Sequence, residues 1–116
     1  MPVSEDYLAY VLEQMRLVRG VTTRKMFGAL CLFHQAKAFA LIDEDVLYLK
    51  VDDSNRGNFV AAGMSAFTPD ANKPEYKMNY FEVPIDVLEE PEALREWAKK
   101  AIAVANKAAL KKRKKA

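Results

Sequence analysis

The sequence predicts an α+β domain of two layers, an antiparallel sheet of about five strands with helices packed on it, in the order α-βββ-α-ββ-α. Two observations predict this. Apolar residues recur at helical spacing near both ends of the chain, and the stretch between them breaks into short apolar or alternating runs parted by turn residues. Those runs sit together rather than alternating one by one with helices, which argues against a parallel βαβ sheet.

Ser4 is placed to cap a first helix, since its hydroxyl can accept an orphan N–H of the opening turn; Glu5 and Asp6 suit the positive helix end. Leu8, Val11, Leu12, Met15 and Val18 follow at steps of three and four. They predict a helix over 5–19, with Gly20 as its left-handed cap. Residues 22–33 are β-branched and apolar without a 3.6-residue period and read as a first strand, in which Gly28 marks a bulge or a close backbone approach. His34-Gln35-Ala36 is a turn, 37–42 a second strand, and Asp43-Glu44-Asp45 a second turn. Residues 46–51 alternate, with Leu47, Leu49 and Val51 on one face and Tyr48 and Lys50 on the other. The three strands form a meander, one face of which packs on the first helix.

Asp52, Asp53 and Ser54 can cap a second helix, with Phe59, Val60 and Ala62 as its apolar side and Gly63 at its end. Pro69, Asp70, Asn72 and Pro74 make 64–75 a hairpin loop. Residues 76–83 read as a strand. Met78, Tyr80 and Glu82 lie on one side of it, Phe81 and Val83 on the other, and Phe67 belongs to a strand pairing with it. Pro84 and Pro91 each suit a first helical turn. A short turn over 85–88 therefore precedes a last helix over 91–110, whose stripe is Leu94, Trp97, Ala98, Ala101, Ile102 and Ala105.

A chain that is 51% hydrophobic and 29% charged is neither disordered nor fibrous. Cys31 is the one cysteine, so no disulfide forms within the chain, which fits a reducing compartment. The longest apolar runs, 29–33 and 38–42, have five residues, against about 20 for a membrane span. The start is acidic and lacks an apolar signal core. A cytoplasmic protein without a membrane partner is expected. The net charge of +2 hides an asymmetry: Lys111, Lys112, Arg113, Lys114 and Lys115 are consecutive, and the other 13 basic side chains face 16 acidic ones. The expected organisation is one folded domain over 1–110 and a disordered basic tail over 111–116, and the charge asymmetry points to a polyanion for the tail alone.

Several blocks resemble a known family. Arg24-Lys25-Met26-Phe27-Gly28 is similar to the RRMFGG entrance of the N-terminal domain of the TfoX/Sxy competence regulators, although Ala29-Leu30-Cys31 replaces the glycine and tyrosine usual after it. Phe39-Ala40-Leu41-Ile42 and then 47–52 resemble its FALI and LYLKVD. Asn55-Arg56 with Phe59 and Ala62-Gly63, Tyr80 to Pro84, and Leu94 to Ala98 resemble the blocks that follow. The resemblance covers almost all of 3–105. It implies a two-layer α+β fold, a stand-alone copy of the N-terminal domain without the second helical domain, and a non-enzymatic regulator that modulates transcription through a protein partner such as a transcription factor.

The residues themselves offer little chemistry. There is no G-x-G-x-x-G, Walker loop or G-x-S-x-G. Cys31 and His34 lie three apart, which in a strand puts them on opposite faces, so they read as a small core residue and a turn residue. Asp43, Glu44 and Asp45 read as a solvated turn, and 52–55 lacks the glycine and distal glutamate of a calcium loop. No catalytic residue, cofactor or metal is therefore expected. Arg24, Lys25, Tyr48, Lys50 and Arg56 are the candidates for contact with a polyanion or partner, unless the cations pair with Asp52, Asp53 and Glu82; Lys111 to Lys115 are the candidates for non-specific nucleic-acid contact. Two further readings stay open: a ligand-binding or enzymatic surface around Arg24, Tyr48, Lys50 and Tyr80, and a homodimer through a sheet edge or Met26-Phe27. The protein is expected to be a monomer or homodimer.

Overall fold

Four consecutive strands, not three, follow the first helix. The computed structural model describes residues 3–26, 28–69, 72–73 and 77–115, and for 112–115 the backbone alone. Helix α1 (Glu5–Gln14) leads into β1 (Val21–Met26), β2 (Ala29–His34), β3 (Lys37–Asp43) and β4 (Val46–Lys50). Gly28 has φ +82° and is open around its Cα, and Met26 lies directly opposite Ala29. Gly28 therefore reverses the chain and splits the expected first strand into a hairpin; it is neither a bulge nor a close approach. Phe27 lies outside the described residues. The next two reversals each place two residues at positive φ, Gln35-Ala36 and Glu44-Asp45, the mirror-image turn that matches strand twist.

α1 also ends earlier than its apolar spacing suggests. Ser4 caps it by accepting the Tyr7 N–H at 3.1 Å, but the helix stops at Gln14. Met15 and Val18 still turn inward, through a tight turn in which the Val18 N–H donates to the Met15 carbonyl. Gly20, at φ +77°, ends that turn rather than the helix.

Beyond β4 come α2 (Arg56–Ala61), β5 (Tyr80–Glu82), α3 (Ile85–Leu88) and α4 (Pro91–Lys115). The sheet order is β1-β2-β3-β4-β5, every pairing antiparallel, so the fold class holds with the order α-ββββ-α-β-αα. β5 is only three residues long; the expected strand start at Tyr76, and Asp70 and Pro74 of the loop, lie outside the described residues. Phe67 pairs as expected, but through an isolated bridge: Ala66 opposes Phe81, and the Phe67 N–H donates to the Tyr80 carbonyl at 2.7 Å. α4 runs through Lys115, past the end expected at Leu110.

α2 differs from expectation in its apolar side. Phe59 is buried, while Val60 is 59% exposed and Ala62 is exposed, because a helix this short turns only one position toward the sheet. The residue at its N-cap is Asn55, with only 2% of its surface exposed. Its amide accepts the Asp52 N–H at 2.9 Å and donates to the Lys50 carbonyl at 3.0 Å, tying the end of β4 to the start of α2. Asp52 closes the turn between them by accepting the Ser54 N–H.

The main core lies between the sheet and the helices. Leu30, Leu32, Phe39, Ala40, Ile42, Leu47, Leu49 and Val51 meet Val11, Met15, Phe59, Leu94, Ala98, Ala101 and Ala105. A register shift near Leu32 and Phe33 puts an extra residue into β3, so that Phe39 and Ala40, although adjacent, both reach this core. The Phe59 ring meets Trp97 edge-on at 4.8 Å and Phe81 at 5.8 Å.

Asn55→Ala removes the side-chain partner of two half-buried backbone groups at the β4–α2 junction, the Asp52 N–H and the Lys50 carbonyl. It is expected to cost about 1–3 kcal/mol, read as a lower urea midpoint with an unchanged slope; a change under a few tenths would show that the junction does not depend on this amide.

Candidate functional site

The helices cover one face of the sheet, and the other face carries most of the candidate residues. Residues directly opposite in register share a face. Arg24, Cys31, Leu41, Tyr48 and Glu82 therefore form one row across all five strands, and Lys50 and Tyr80 face each other in the adjoining row. Leu41, Tyr80 and Phe67 make a small second core here, with Cys31 and Tyr48 half-buried against it. Phe67, from the segment after α2, stacks tilted on Tyr48 at 4.8 Å and roofs part of this face.

Two cations lie over aromatic rings. The Arg24 guanidinium is 5.1 Å from the centre of the half-buried Phe33 ring, and the Lys50 ammonium is 6.0 Å from that of Tyr80. Three strand spacings, roughly 14 Å, part β1 from β4, so Arg24 and Lys50 bracket the aromatic patch and do not converge on one point.

The remaining candidates lie elsewhere. Lys25 opposes Leu30, a main-core residue, and so sits on the other face of β1, exposed at the edge. Arg56 opens α2 and pairs with Asp53, the ion pair weighed from sequence. Lys111 is exposed on α4. It and Lys107 reinforce the lowering of the Asp52 carboxyl, whose largest cause is the hydrogen bond from the Ser54 hydroxyl. Lys112, Arg113, Lys114 and Lys115 have their backbone on α4, and their side chains lie outside the described residues.

The surroundings of Cys31 disfavour the thiolate that a nucleophile needs. Burial pushes its thiol up, and Arg24 across the strand offsets this only in part. His34, as expected, is on the opposite face, where it lines a concavity of about 500 Å³ against α4. Asp45 does more than face solvent: its carboxylate accepts the Ser4 N–H at 2.8 Å and so anchors the start of α1. Among the described residues no three His, Cys, Asp or Glu side chains group as a metal site would require, and no helix is long and apolar enough to cross a membrane.

The family model of the TfoX N-terminal domain matches residues 13–105, more than three quarters of the chain. The chain belongs to the TfoX N-terminal domain family. No curated protein matched it in sequence. The family is one of regulatory domains not known to be catalytic, and the TfoX match takes in the whole sheet and most of α4, including every residue of the aromatic face.

That face is dry at its centre. Burial, and then the charge of Cys31, push the Tyr80 phenol up to about 12. Burial is also the largest cause of the raised Tyr48, ahead of Glu82, Asp43 and Glu44. An unfolded chain releases the Tyr80 proton near pH 10, whereas the folded chain holds it to about 12. The stability conferred by the protonated phenol is thus complete below pH 10 and lost as pH rises from there through about 12. In an absorbance titration at 295 nm one tyrosine should ionise after the others, and Tyr80→Phe should remove that last step; all tyrosines ionising together near pH 10 would contradict a dry Tyr80.

Proposed function

We propose that this domain is a non-enzymatic regulator that modulates transcription by docking a protein partner on the helix-free face of the sheet, with the basic end of α4 adding weak, sequence-independent nucleic-acid affinity. The observation that carries the reading is that face itself: half-buried Phe33 and Tyr48, bracketed by Arg24 and Lys50, on a sheet whose opposite face is sealed by helices. Tyrosine, phenylalanine and arginine are the residue types enriched where protein interfaces hold their binding energy. Membership of a family of regulatory domains supports the same reading. The raised Cys31 thiol argues against that one residue as a nucleophile on this face, because an attacking cysteine needs its thiolate. Consecutive cations at 111–115 would bind phosphates by releasing counterions, which makes that contribution salt-dependent and indifferent to sequence.

Arg24→Glu with Lys50→Glu changes charge on the docking face and leaves the main core untouched. Affinity capture from a native cell extract with wild type should retain a transcription activator or polymerase subunit that the double variant, melting within a few degrees of wild type, does not retain. The same proteins retained by both would overturn the assignment of this face.

The nucleic-acid component has its own readout. Binding of a fluorescent 20-base-pair duplex should weaken between 50 and 200 mM salt with a log–log slope of no more than about 4.5, and should vanish when residues 111–115 are replaced by alanine. Salt-independent binding, or binding unchanged in that variant, would sink it.

A further inference from the structure

The two edges of the sheet differ. Along the outer side of β5 runs a further segment: Ala66 opposes Phe81, the Phe67 N–H donates to the Tyr80 carbonyl, and the Glu82 N–H donates to the Ser65 carbonyl. Among the described residues β1 pairs with β2 alone. Every second residue of an antiparallel strand turns its N–H and C=O away from its neighbour, so three of the six residues of β1 point both groups outward. Among the described residues those groups have no further partner.

A free edge is ordinarily guarded by proline, a bulge, very short length, a covering element or charge. β1 has no proline, and its register with β2 is unbroken from Val21 opposite His34 to Met26 opposite Ala29. Thr22, Thr23, Arg24 and Lys25 are all exposed. The guard that remains is charge, and charge is selective. Arg24 stands on the helix-free face and Lys25 on the other. Across the ladder they face Cys31 and Leu30, and among the described residues neither forms an ion pair. A second copy paired along β1 would gather four cations at one seam, with no carboxylate between Gly20 and Met26 to offset them. A strand with a carboxylate opposite each cation meets opposite charge on both faces.

We infer that β1 accepts an extended acidic segment of a protein partner as an added strand. This rests on the reading that the domain docks a protein partner, and it names the part of that partner that is recognised. The backbone edge supplies affinity and the side chains supply choice. In an antiparallel arrangement the incoming residue opposite Lys25 comes before the one opposite Arg24, and both are acidic. The residue opposite Thr23 follows, and then one opposite Thr22, in the row that holds Phe33. An aromatic side chain at that last position extends over the small Thr22 towards the Phe33 ring. The added strand thus continues the helix-free face, with Arg24 at the seam.

The probe is the capped peptide acetyl-Val-Glu-Glu-Thr-Phe-Val-amide, with acetyl-Val-Lys-Lys-Thr-Phe-Val-amide as its charge-reversed control. ¹H–¹⁵N spectra of the full chain should show saturable shifts along β1. Solvent exchange of every second β1 amide should slow by roughly tenfold at nine-tenths occupancy, because an amide paired with the peptide exchanges only from the free chain. The lysine peptide should bind at least about fivefold more weakly. Arg24→Glu with Lys25→Glu should reverse that preference at a melting temperature within a few degrees of wild type. The two readings fail separately: the peptide is read on β1 amides of the purified protein, the docking face by capture with the Arg24→Glu, Lys50→Glu variant. No saturable binding, shifts without slowed alternate amides, shifts that map to α4, or equal binding of the two peptides would overturn the added strand and leave the docking face standing. Shifts along β1 that grow with protein concentration in the absence of peptide would overturn it in favour of a second copy.

Discussion

The contact of α4 with β3 and β4 decides what the rest of the molecule can be. Its core stripe is mostly alanine: Ala98, Ala101 and Ala105, with Leu94 at one end. Small side chains let the helix axis approach the sheet closely, and the gap is filled from the sheet by Phe39, Ile42, Leu47 and Leu49. Burying large residues on the strands against small ones on the helix commits the odd positions of β4 to one face. The even positions, Tyr48 and Lys50, are then committed to the other. Phe39 and Ala40 are accommodated together only because β3 carries its extra residue at that point.

A sheet sealed on one face has a second face to account for. Here it is only partly roofed. Phe67 and Tyr80 cover Leu41, and the cluster stops at the half-buried Cys31 and Tyr48. Enough apolar surface is shielded to raise the Tyr80 phenol, and enough is left to pair with something else. The stacked cations fit this intermediate state: Arg24 and Lys50 shade rings that a helix would otherwise cover. α4 has a comparable flank, where Arg95, Lys99, Ile102 and Asn106 face the turn after α1 across a concavity rather than across packed side chains.

The parts of the fold readable in the sequence are those with strong periodicity. The alternation of 46–51, the stripe of the last helix and the proline starts of α3 and α4 all appear where local spacing places them. The readings that failed turned on information that spacing does not carry. Met15 and Val18 keep a three-residue step through a turn as well as through a helix, so α1 looked longer than it is. Gly28 sits in an apolar run and looked like a bulge; only its positive φ reveals a hairpin. Val60 looked like core because a six-residue helix has no room to show which side it buries. Among the site residues, Arg24, Tyr48 and Lys50 share a face as strand alternation allows, whereas Lys25 and Arg56 needed the register and the helix position to be set apart. The concavity beside His34 went unseen because Arg95 and Lys99 resemble any solvated helix face, and His34 resembles a turn residue. Only the pairing of β2 with its neighbours brings that histidine against α4.

The sheet has one sealed and one open aromatic face, and hydroxyl-radical footprinting of the native protein tests this most directly. Phe33 and Tyr48 should be oxidised readily, and Phe39 and Phe59, buried beneath the helices, should be protected until the chain unfolds. Equal protection of all four rings, or ready oxidation of Phe39 and Phe59 alongside the other two, would contradict it.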